Sequence, residues 1–271
     1  MNVPERPKSI PVRTAVILLC LWIAFSIGFV LVNRYNNGSN WDGLADLLLL
    51  ALGGPIAIVA RPTQLDPRYV NRHASLPYGL RVDEVEKAVS ETYRLLHGVN
   101  DYLVGAGFLS LEALLLGNSL SGIVSEFLVK NIARASSTLE ANLKVGGYPD
   151  LLPKGHYSSN LVLKGKAGIE VKCSIQAGGW QGHNPEDCWL MVFRYAVGAQ
   201  EDGTTQPLTF VEILCAEVKH SDWSFSGRKG ASRRTPTASI TATGVEKLRR
   251  NFLFRLPDVG VGAHRAVLAK P

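Results

Sequence analysis

One segment near the amino terminus limits the folds open to this chain more than any other feature. Residues 14–32 read TAVILLCLWIAFSIGFVLV, 19 residues without a charged side chain. A helical run of this length extends roughly 28 Å, close to the thickness of the hydrocarbon core of a bilayer. A signal peptide would usually have a shorter apolar region followed by a small-x-small cleavage site, which the following Val-Asn-Arg-Tyr-Asn-Asn does not resemble. We therefore expect residues 14–32 to span a membrane.

A second apolar run follows at residues 44–60, interrupted only by Asp46. It is at the short end for a membrane span, and a buried or interfacial helix is the alternative. Its Gly53-Gly54-Pro55 would be tolerated in a membrane helix. Together the two runs predict a transmembrane hairpin whose partner is the lipid bilayer.

The basic residues around the two runs predict the orientation of this hairpin. Six of them flank it on the outside: Arg6, Lys8, Arg13, Arg61, Arg68 and Arg72. The intervening residues 33–43 contain one basic side chain, Arg34. Because basic loops remain on the cytoplasmic side, both ends are expected there. The sequence thus predicts a cell-membrane anchor over 1–60, a linker over 61–80 and a cytoplasmic domain over 81–271.

Beyond the linker, apolar residues recur first with a helical period and then with a strand period. Helices are predicted at 81–97, 102–116, 118–136 and 244–255, and strands at 161–163, 169–175, 189–197 and 208–218. The last two strands are nearly continuous apolar runs, as expected where a sheet is covered on both faces. Helices before and after a mixed sheet predict an α/β layered domain.

The strand predicted at 169–175 combines an acidic and a basic side chain. Alternation along a strand directs Glu170 and Lys172 to the face opposite Ile169 and Val171. A second Glu-x-Lys occurs at residues 217–219. An ordinary surface ion pair is the alternative explanation for either copy.

The first copy differs from the second because Tyr148-Pro149-Asp150 lies twenty residues upstream of Glu170. Asp150 and Glu170 would supply two carboxylates, and Mg²⁺ typically takes one or two in addition to water and substrate phosphate. Lys172 could orient the attacking water or help to deprotonate it. These groups suit metal-assisted hydrolysis of a phosphodiester. The copy at 217–219 is expected to be the charged end of a core strand.

These residues resemble the motif of the PD-(D/E)xK, or restriction-endonuclease-like, superfamily, matching it at Pro149-Asp150 and Glu170-Val-Lys172. The resemblance implies a mixed sheet flanked by helices, with catalytic Asp150, Glu170 and Lys172. It also implies that both carboxylates bind Mg²⁺, for which Mn²⁺ can substitute, with Glu126 from an upstream helix as a further ligand. A surface i,i+4 pair with Lys130 is the alternative role for Glu126.

Two further segments suggest contacts with nucleic acid. The first, glycine-rich, offers Trp180, Gln181, His183 and Asn184; the second offers Arg228, Lys229, Arg233 and Arg234 among aromatic and hydroxyl side chains. Basic and aromatic groups on a loop suit contacts to phosphates and bases. The net charge of +6 fits a phosphate-rich partner. A plain turn and a solvated loop are the respective alternatives.

The sequence therefore predicts a membrane-anchored, magnesium-dependent endonuclease acting on DNA. A role in restriction or defence is an extrapolation from the family resemblance, RNA is not excluded as a substrate, and a homodimer is left open. The alternatives are a non-catalytic nucleic-acid-binding module and a membrane-associated scaffold protein. Metal-dependent cleavage of DNA would distinguish the endonuclease hypothesis from both alternatives.

Overall fold

The computed structural model describes residues 61–182, 184–198, 206–225 and 237–257. The anchor predicted for residues 1–60 lies outside these ranges, as do His183 and the basic residues between 226 and 236. Within the described ranges, no helix is both long enough and apolar enough to cross a bilayer.

The described residues form four α-helices and nine β-strands. The helices are α1 (Val82–Gly105), α2 (Leu111–Leu114), α3 (Gly117–Ala135) and α4 (Ala242–Arg250). The strands are β1 (Leu139–Ala141), β2 (Leu151–Pro153), β3 (Ile169–Ser174), β4 (Gln181–Gly182), β5 (Cys188–Ala196), β6 (Thr209–Val218), β7 (Trp223–Phe225), β8 (Ala238–Ile240) and β9 (Phe252–Arg255).

Six strands form a mixed sheet in the order β1-β2-β3-β5-β6-β9. The pair β3–β5 is parallel and its neighbouring pairs are antiparallel. The crossover that joins β3 to β5 contains β4 instead of a helix, and β4 belongs to a small second sheet, β4-β8-β7. The α/β class with a mixed sheet and flanking helices is therefore as predicted.

Each face of the main sheet has its own apolar core. On one face, Ile169, Val171 and Phe193 pack with α1 and α3. On the other, Leu190 and Val192 pack with α4 and with the small sheet. The nearly continuous apolar sequences of β5 and β6 follow from this double coverage, which confirms the prediction made for these strands.

The prediction of a core helix at residues 102–116 is wrong. Helix α1 ends at Gly105, Gly107 adopts φ +84°, and only the single turn α2 follows. Positive φ is accessible to glycine at little cost and interrupts a helix. Several apolar side chains of this segment lie on the surface, with Tyr102 75% and Phe108 62% exposed, while Leu111 and Leu115 are partly buried against the core.

Two further element predictions need correction. No strand forms at residues 161–163, because the amide of Asn142 hydrogen-bonds both Val162 N and Val162 O at 3.1 and 2.8 Å. Those bonds replace the partners that a neighbouring strand would supply. The helix predicted at 244–255 ends at Arg250, and after Asn251 the chain continues as β9.

Residues 61–80, predicted as a linker, pack against the domain. Leu65 and Leu80 are buried, at 4% and 5% exposure. Val70 forms a bridge to Phe254, and Asn71 N donates to Leu253 O at 2.8 Å. This segment therefore adds to the edge of the sheet at β9.

A buried ionic cluster links β5, β6, β9 and α4. The Glu212 carboxylate accepts from Arg194 Nη1 at 2.5 Å and from Arg255 Nη2 at 2.6 Å, and Arg249 Nε lies 3.3 Å away. Burial by itself would raise the pKa of Glu212, but the hydrogen bonds from Arg194 and Arg255 outweigh it and lower the pKa. One carboxylate thus balances part of the charge of three guanidinium groups.

We expect Glu212→Gln to destabilise the domain by about 3–5 kcal/mol, the usual cost of removing one partner from a buried ion pair. Urea unfolding followed by tryptophan fluorescence would measure the loss. Glu217→Gln on the same strand is the matched control, because the Glu217 side chain is 50% exposed. Its effect should stay within about 1 kcal/mol, and equal losses from both variants would contradict the assignment of this cluster to the core.

Candidate active site

The pairing of β2 with β3 brings Asp150 and Glu170 together. Leu151 lies opposite Ile169 in an antiparallel register. One step further along the same register, Asp150 lies opposite Glu170. Side chains directly opposite one another in an antiparallel pair point to the same face, so two carboxylates twenty residues apart in sequence become neighbours.

Gly168 permits this close approach of the two chain segments. Its φ is +142°, and a Cβ at this position would lie 2.3 Å from Leu151 O and 2.3 Å from Pro149 Cγ. Neither neighbour is the end of a flexible side chain, since one is backbone and the other a proline ring following the cis Tyr148–Pro149 bond. Glycine is therefore required where β3 begins.

Hydrogen bonds hold the acidic and basic groups in place. Asp150 Oδ2 accepts from the backbone N–H of Val171 at 2.8 Å. Lys172 Nζ donates to Glu170 Oε1 at 2.5 Å, and the two side chains are 28% and 15% exposed. Glu170 and Lys172 thus lie on one face of β3, as the alternating pattern predicts.

The electrostatics of this cluster are those of two carboxylates crowded in a poorly solvated place. Burial, and then the negative charge of Glu170, raise the pKa of Asp150 to about 7. Burial also acts to lower the pKa of Lys172, but the attraction of Glu170 and Asp150 outweighs it and raises that pKa. Lys172 therefore remains a cation near neutral pH. Its single positive charge does not fully offset the negative charges that Asp150 and Glu170 would carry together.

The donor set fits a hard divalent cation. Two carboxylates in contact, one with a raised pKa, form an oxygen-rich place where a cation would relieve the repulsion. Two carboxylates are also the number that Mg²⁺ commonly takes from protein while keeping water and phosphate as other ligands.

Glu126 does not join this pair, contrary to the expectation that it supplies a further ligand. It is exposed on α3, which packs on the sheet face that carries Ile169 and Val171. Glu170 points to the opposite face. Among the residues that the structure describes, no three His, Cys, Asp or Glu side chains assemble into a metal-binding group.

A pocket of about 280 Å³ opens beside Glu170 and Lys172. Its lining includes Tyr148, Asn184, Glu186, Cys188 and Trp223. The Tyr148 hydroxyl is buried beside Cys188 and Glu186. Burial raises the pKa of Cys188 to about 11, so this thiol is protonated near neutral pH and is not poised as a nucleophile.

The residues predicted to contact nucleic acid are distributed differently from the sequence-based expectation. Trp180 is only 3% exposed, packs in the apolar core beneath α4 and donates from Nε1 to Gln176 O, so its assignment as a nucleic-acid contact is corrected to a core position. Gln181 is exposed on β4, and Asn184 is exposed at the pocket. His183, Arg228, Lys229, Arg233 and Arg234 lie outside the described ranges.

The second Glu-x-Lys is placed as predicted, at the exposed end of a core strand. Glu217 and Lys219 are paired at 2.7 Å, with side chains 50% and 45% exposed. The nearby carboxylate of Asp187 lies 3.6 Å from Lys219 Nζ and is itself 60% exposed. Solvation distinguishes this group from the partly buried Glu170–Lys172 pair.

The pocket also contains residues that no sequence pattern identified as candidates. Tyr148 directly precedes the Pro149-Asp150 motif, and this position could have identified it as a residue of the site. Trp223 occurs in the segment noted for basic and aromatic residues. Glu186 and Cys188 offer no such signal, because they reach the pocket only through the parallel register of β5 beside β3.

We expect Asp150→Asn to stabilise the metal-free protein progressively as the pH rises. The folded-state pKa of Asp150 is above the value of about 3.9 for unfolded aspartate, so its contribution to stability is fully present below that value and is lost as the pH rises through about 7. Thermal unfolding in chelator from pH 4 to 8 should therefore show the variant gaining relative to the wild type. The exposed control Asp187→Asn should differ from the wild type in unfolding temperature by the same amount at every pH. The same behaviour in Asp150→Asn would refute the crowding of Asp150 with Glu170.

The chain matches no protein-family model and no curated protein. The resemblance to PD-(D/E)xK nucleases therefore rests on the motif residues Asp150, Glu170 and Lys172.

Proposed function

We propose that this domain is a magnesium-dependent endonuclease of the PD-(D/E)xK, restriction-endonuclease-like kind that hydrolyses DNA phosphodiester bonds. The observation that carries the proposal is the contact of Asp150 with Glu170 beside a cationic Lys172. This contact depends on strand register and on Gly168, and a pocket lined by Glu170 and Lys172 lies next to it.

Asp150 and Glu170 are the residues that would hold Mg²⁺, or Mn²⁺ as a substitute. When bound, the ion lowers the pKa of a coordinated water and offsets negative charge on the reacting phosphate. The backbone N–H of Val171 orients one Asp150 oxygen, which fixes the direction of the other. The fold therefore presents preorganised oxygen ligands on a rigid strand pair.

Lys172 supplies a positive charge at the same place. Its raised pKa favours the ammonium form, so it acts as a hydrogen-bond donor and not as the proton acceptor. From its position beside Glu170 it can orient the attacking water and stabilise negative charge on a phosphate oxygen. Removal of this charge should affect turnover more than metal binding.

The DNA contacts are assigned to the surface around the pocket. Gln181 and Asn184 are exposed there or beside it, and Arg228, Lys229, Arg233 and Arg234 would add phosphate contacts. The net charge of +6 supports association with a polyanion. RNA remains an alternative polymer for the same chemistry.

We place the protein at the cell membrane, with its catalytic domain in the cytoplasm. The support is the uncharged run at 14–32 and the distribution of basic residues around it. Arg61 is paired with Asp101, and Tyr102, Phe108 and Leu109 of the same domain are exposed. Exposed apolar side chains of this kind suit contact with a bilayer interface.

The catalytic proposal predicts that Lys172→Ala lowers magnesium-dependent cleavage of DNA by roughly 100- to 1,000-fold, the usual loss for one electrostatic donor in an active site. Asp150→Asn and Glu170→Gln should abolish cleavage and weaken Mn²⁺ binding measured by titration calorimetry. Lys172→Ala should leave Mn²⁺ binding largely intact, because an ammonium is not a ligand.

Lys219→Ala is the matched control for this experiment, since it removes the same side chain from an exposed Glu-x-Lys. It should retain cleavage close to that of the wild type. Equal losses from both lysine variants, or a loss from Lys219→Ala alone, would refute the assignment. DNA binding without cleavage in the wild type would favour the non-catalytic binding module instead.

The membrane proposal predicts that the full-length chain sediments with membranes and resists extraction at alkaline pH or high salt. A chain beginning at Arg61 should remain in the soluble fraction, because it lacks both apolar runs. Recovery of the full-length chain in the soluble fraction would contradict the anchor. Protease accessibility only from outside the cell would contradict the orientation.

A further inference from the structure

We propose that Lys164 binds a phosphate of the nucleic-acid backbone next to the phosphate that Lys172 contacts, which makes Lys164 a substrate-binding residue of the candidate site. This inference rests on the proposed nuclease function and adds a residue from the β2–β3 loop to it. It follows from the location of Lys164 in the pocket, from its lack of an ionic partner among the described residues and from the charge balance of the site.

Lys164 lines the pocket from the loop 154–168 that joins β2 to β3. It is exposed, whereas the side chain of Lys172 in the same lining is only 28% exposed and is bonded to Glu170. The two cations therefore lie at different depths around one space. Consecutive phosphates of a strand are joined by a single sugar, so a strand with one phosphate at Lys172 would bring the next phosphate toward the exposed wall.

Hydrogen bonds on both sides of Lys164 fix its backbone. Val162 is bonded through both its N–H and its carbonyl, at 3.1 and 2.8 Å. Gly165 N donates to Tyr148 O at 2.7 Å. Since Tyr148 is two residues before Asp150, the loop is connected directly to the segment that carries a candidate metal ligand. The charge of Lys164 thus has a defined position relative to the site, as a substrate-binding group requires.

The ammonium of Lys164 is available to a ligand. It makes no hydrogen bond or ion pair with any other residue that the structure describes, whereas Lys154 in the same loop donates to Ser136 O at 2.9 Å. A phosphate that approaches Lys164 therefore breaks no existing ion pair. Lys166 is equally exposed and equally unpaired within the described part of the chain, but it is absent from the pocket lining. It represents the ordinary solvated lysine against which Lys164 can be tested.

The charge balance of the site explains why a second lysine is needed. In and beside the pocket lie the carboxylates of Asp150, Glu170 and Glu186. Once ionised, they would balance in full the positive charge of a bound divalent cation and of Lys172. A site with no net charge offers little attraction to a further anion. Lys164 supplies the surplus positive charge, and an exposed ammonium suits contact with a backbone phosphate.

The binding test uses full-length protein in detergent micelles, with Ca²⁺ replacing Mg²⁺ to suppress cleavage. Fluorescence anisotropy of a labelled DNA duplex would give the dissociation constant between about 50 and 200 mM salt, and the slope of log affinity against log salt counts phosphate contacts. Lys164→Gln should reduce the magnitude of this slope by about 0.9, the value for one phosphate contact on a duplex. Lys164→Arg should keep the wild-type slope, because it retains the charge.

Lys166→Gln is the matched control, since it removes the same charge two residues away and outside the pocket. It should leave the salt slope unchanged. An unchanged slope in Lys164→Gln, or equal reductions from both glutamine variants, would overturn the phosphate contact even if magnesium-dependent cleavage is observed. A reduced slope in Lys164→Arg would also overturn it, because the loss would then not follow the charge.

Steady-state cleavage in Mg²⁺ distinguishes a neighbouring phosphate from the reacting one. A contact with a phosphate that does not react is equally strong in the ground state and in the transition state. Lys164→Gln should therefore raise KM by roughly 3- to 10-fold at about 0.1 M salt and leave kcat within about twofold, unlike Lys172→Ala. A fall in kcat at unchanged KM would overturn the assignment to the neighbouring phosphate.

The two measurements separate this inference from the proposed function. The salt slope is measured without cleavage, so it reports on Lys164 whether or not the protein is a nuclease. The expected slopes, in a protein that cleaves no nucleic acid, would refute the nuclease proposal and retain Lys164 as a phosphate-binding residue.

Discussion

The antiparallel contact between β2 and β3 is the constraint on which the candidate site depends. Leu151 opposite Ile169 fixes the register, and Gly168 allows the backbone at the start of β3 to lie against Pro149 and Leu151. A one-residue slip would turn Glu170 toward the apolar face. The same register directs Ile169 and Val171 into the core with α3, so the burial of that face stabilises the position of the carboxylates.

The fold and the site differ in how far the sequence determines them. The long apolar patterns of β5 and β6 were sufficient to predict strands covered on both faces, and the alternation around Glu170 correctly predicted its face. The prediction of a helix at residues 102–116 failed because apolar composition does not reveal that a glycine, here Gly107, adopts a positive φ. The prediction that Trp180 contacts nucleic acid failed because a tryptophan in a glycine-rich segment is expected to be exposed. Its burial depends on the packing of α4, which the local sequence does not indicate.

Long-range register explains what else could not be predicted. Glu126 lies on an upstream helix, where the family resemblance implies a further ligand, yet α3 packs on the sheet face opposite to the one that carries Glu170. Glu186 and Cys188 reach the pocket only because β5 runs parallel to β3. No local pattern encodes that pairing, since the described residues of the crossover between the two strands form no helix.

Burial is what separates the two Glu-x-Lys copies chemically. At Glu217 and Lys219 water screens both charges, and the pair contributes little. At Glu170 and Lys172 the same side chains lie beside Asp150 in a poorly solvated place, where burial, and then repulsion from Glu170, raise the pKa of Asp150 to about 7. A site of this kind is unfavourable for the stability of the metal-free fold, and it persists because two apolar cores hold the sheet from either side. The solvation of a Glu-x-Lys motif is therefore more informative than its sequence. Crowded carboxylates that destabilise the metal-free fold are themselves a reason to regard the copy at Glu170 and Lys172 as the candidate site.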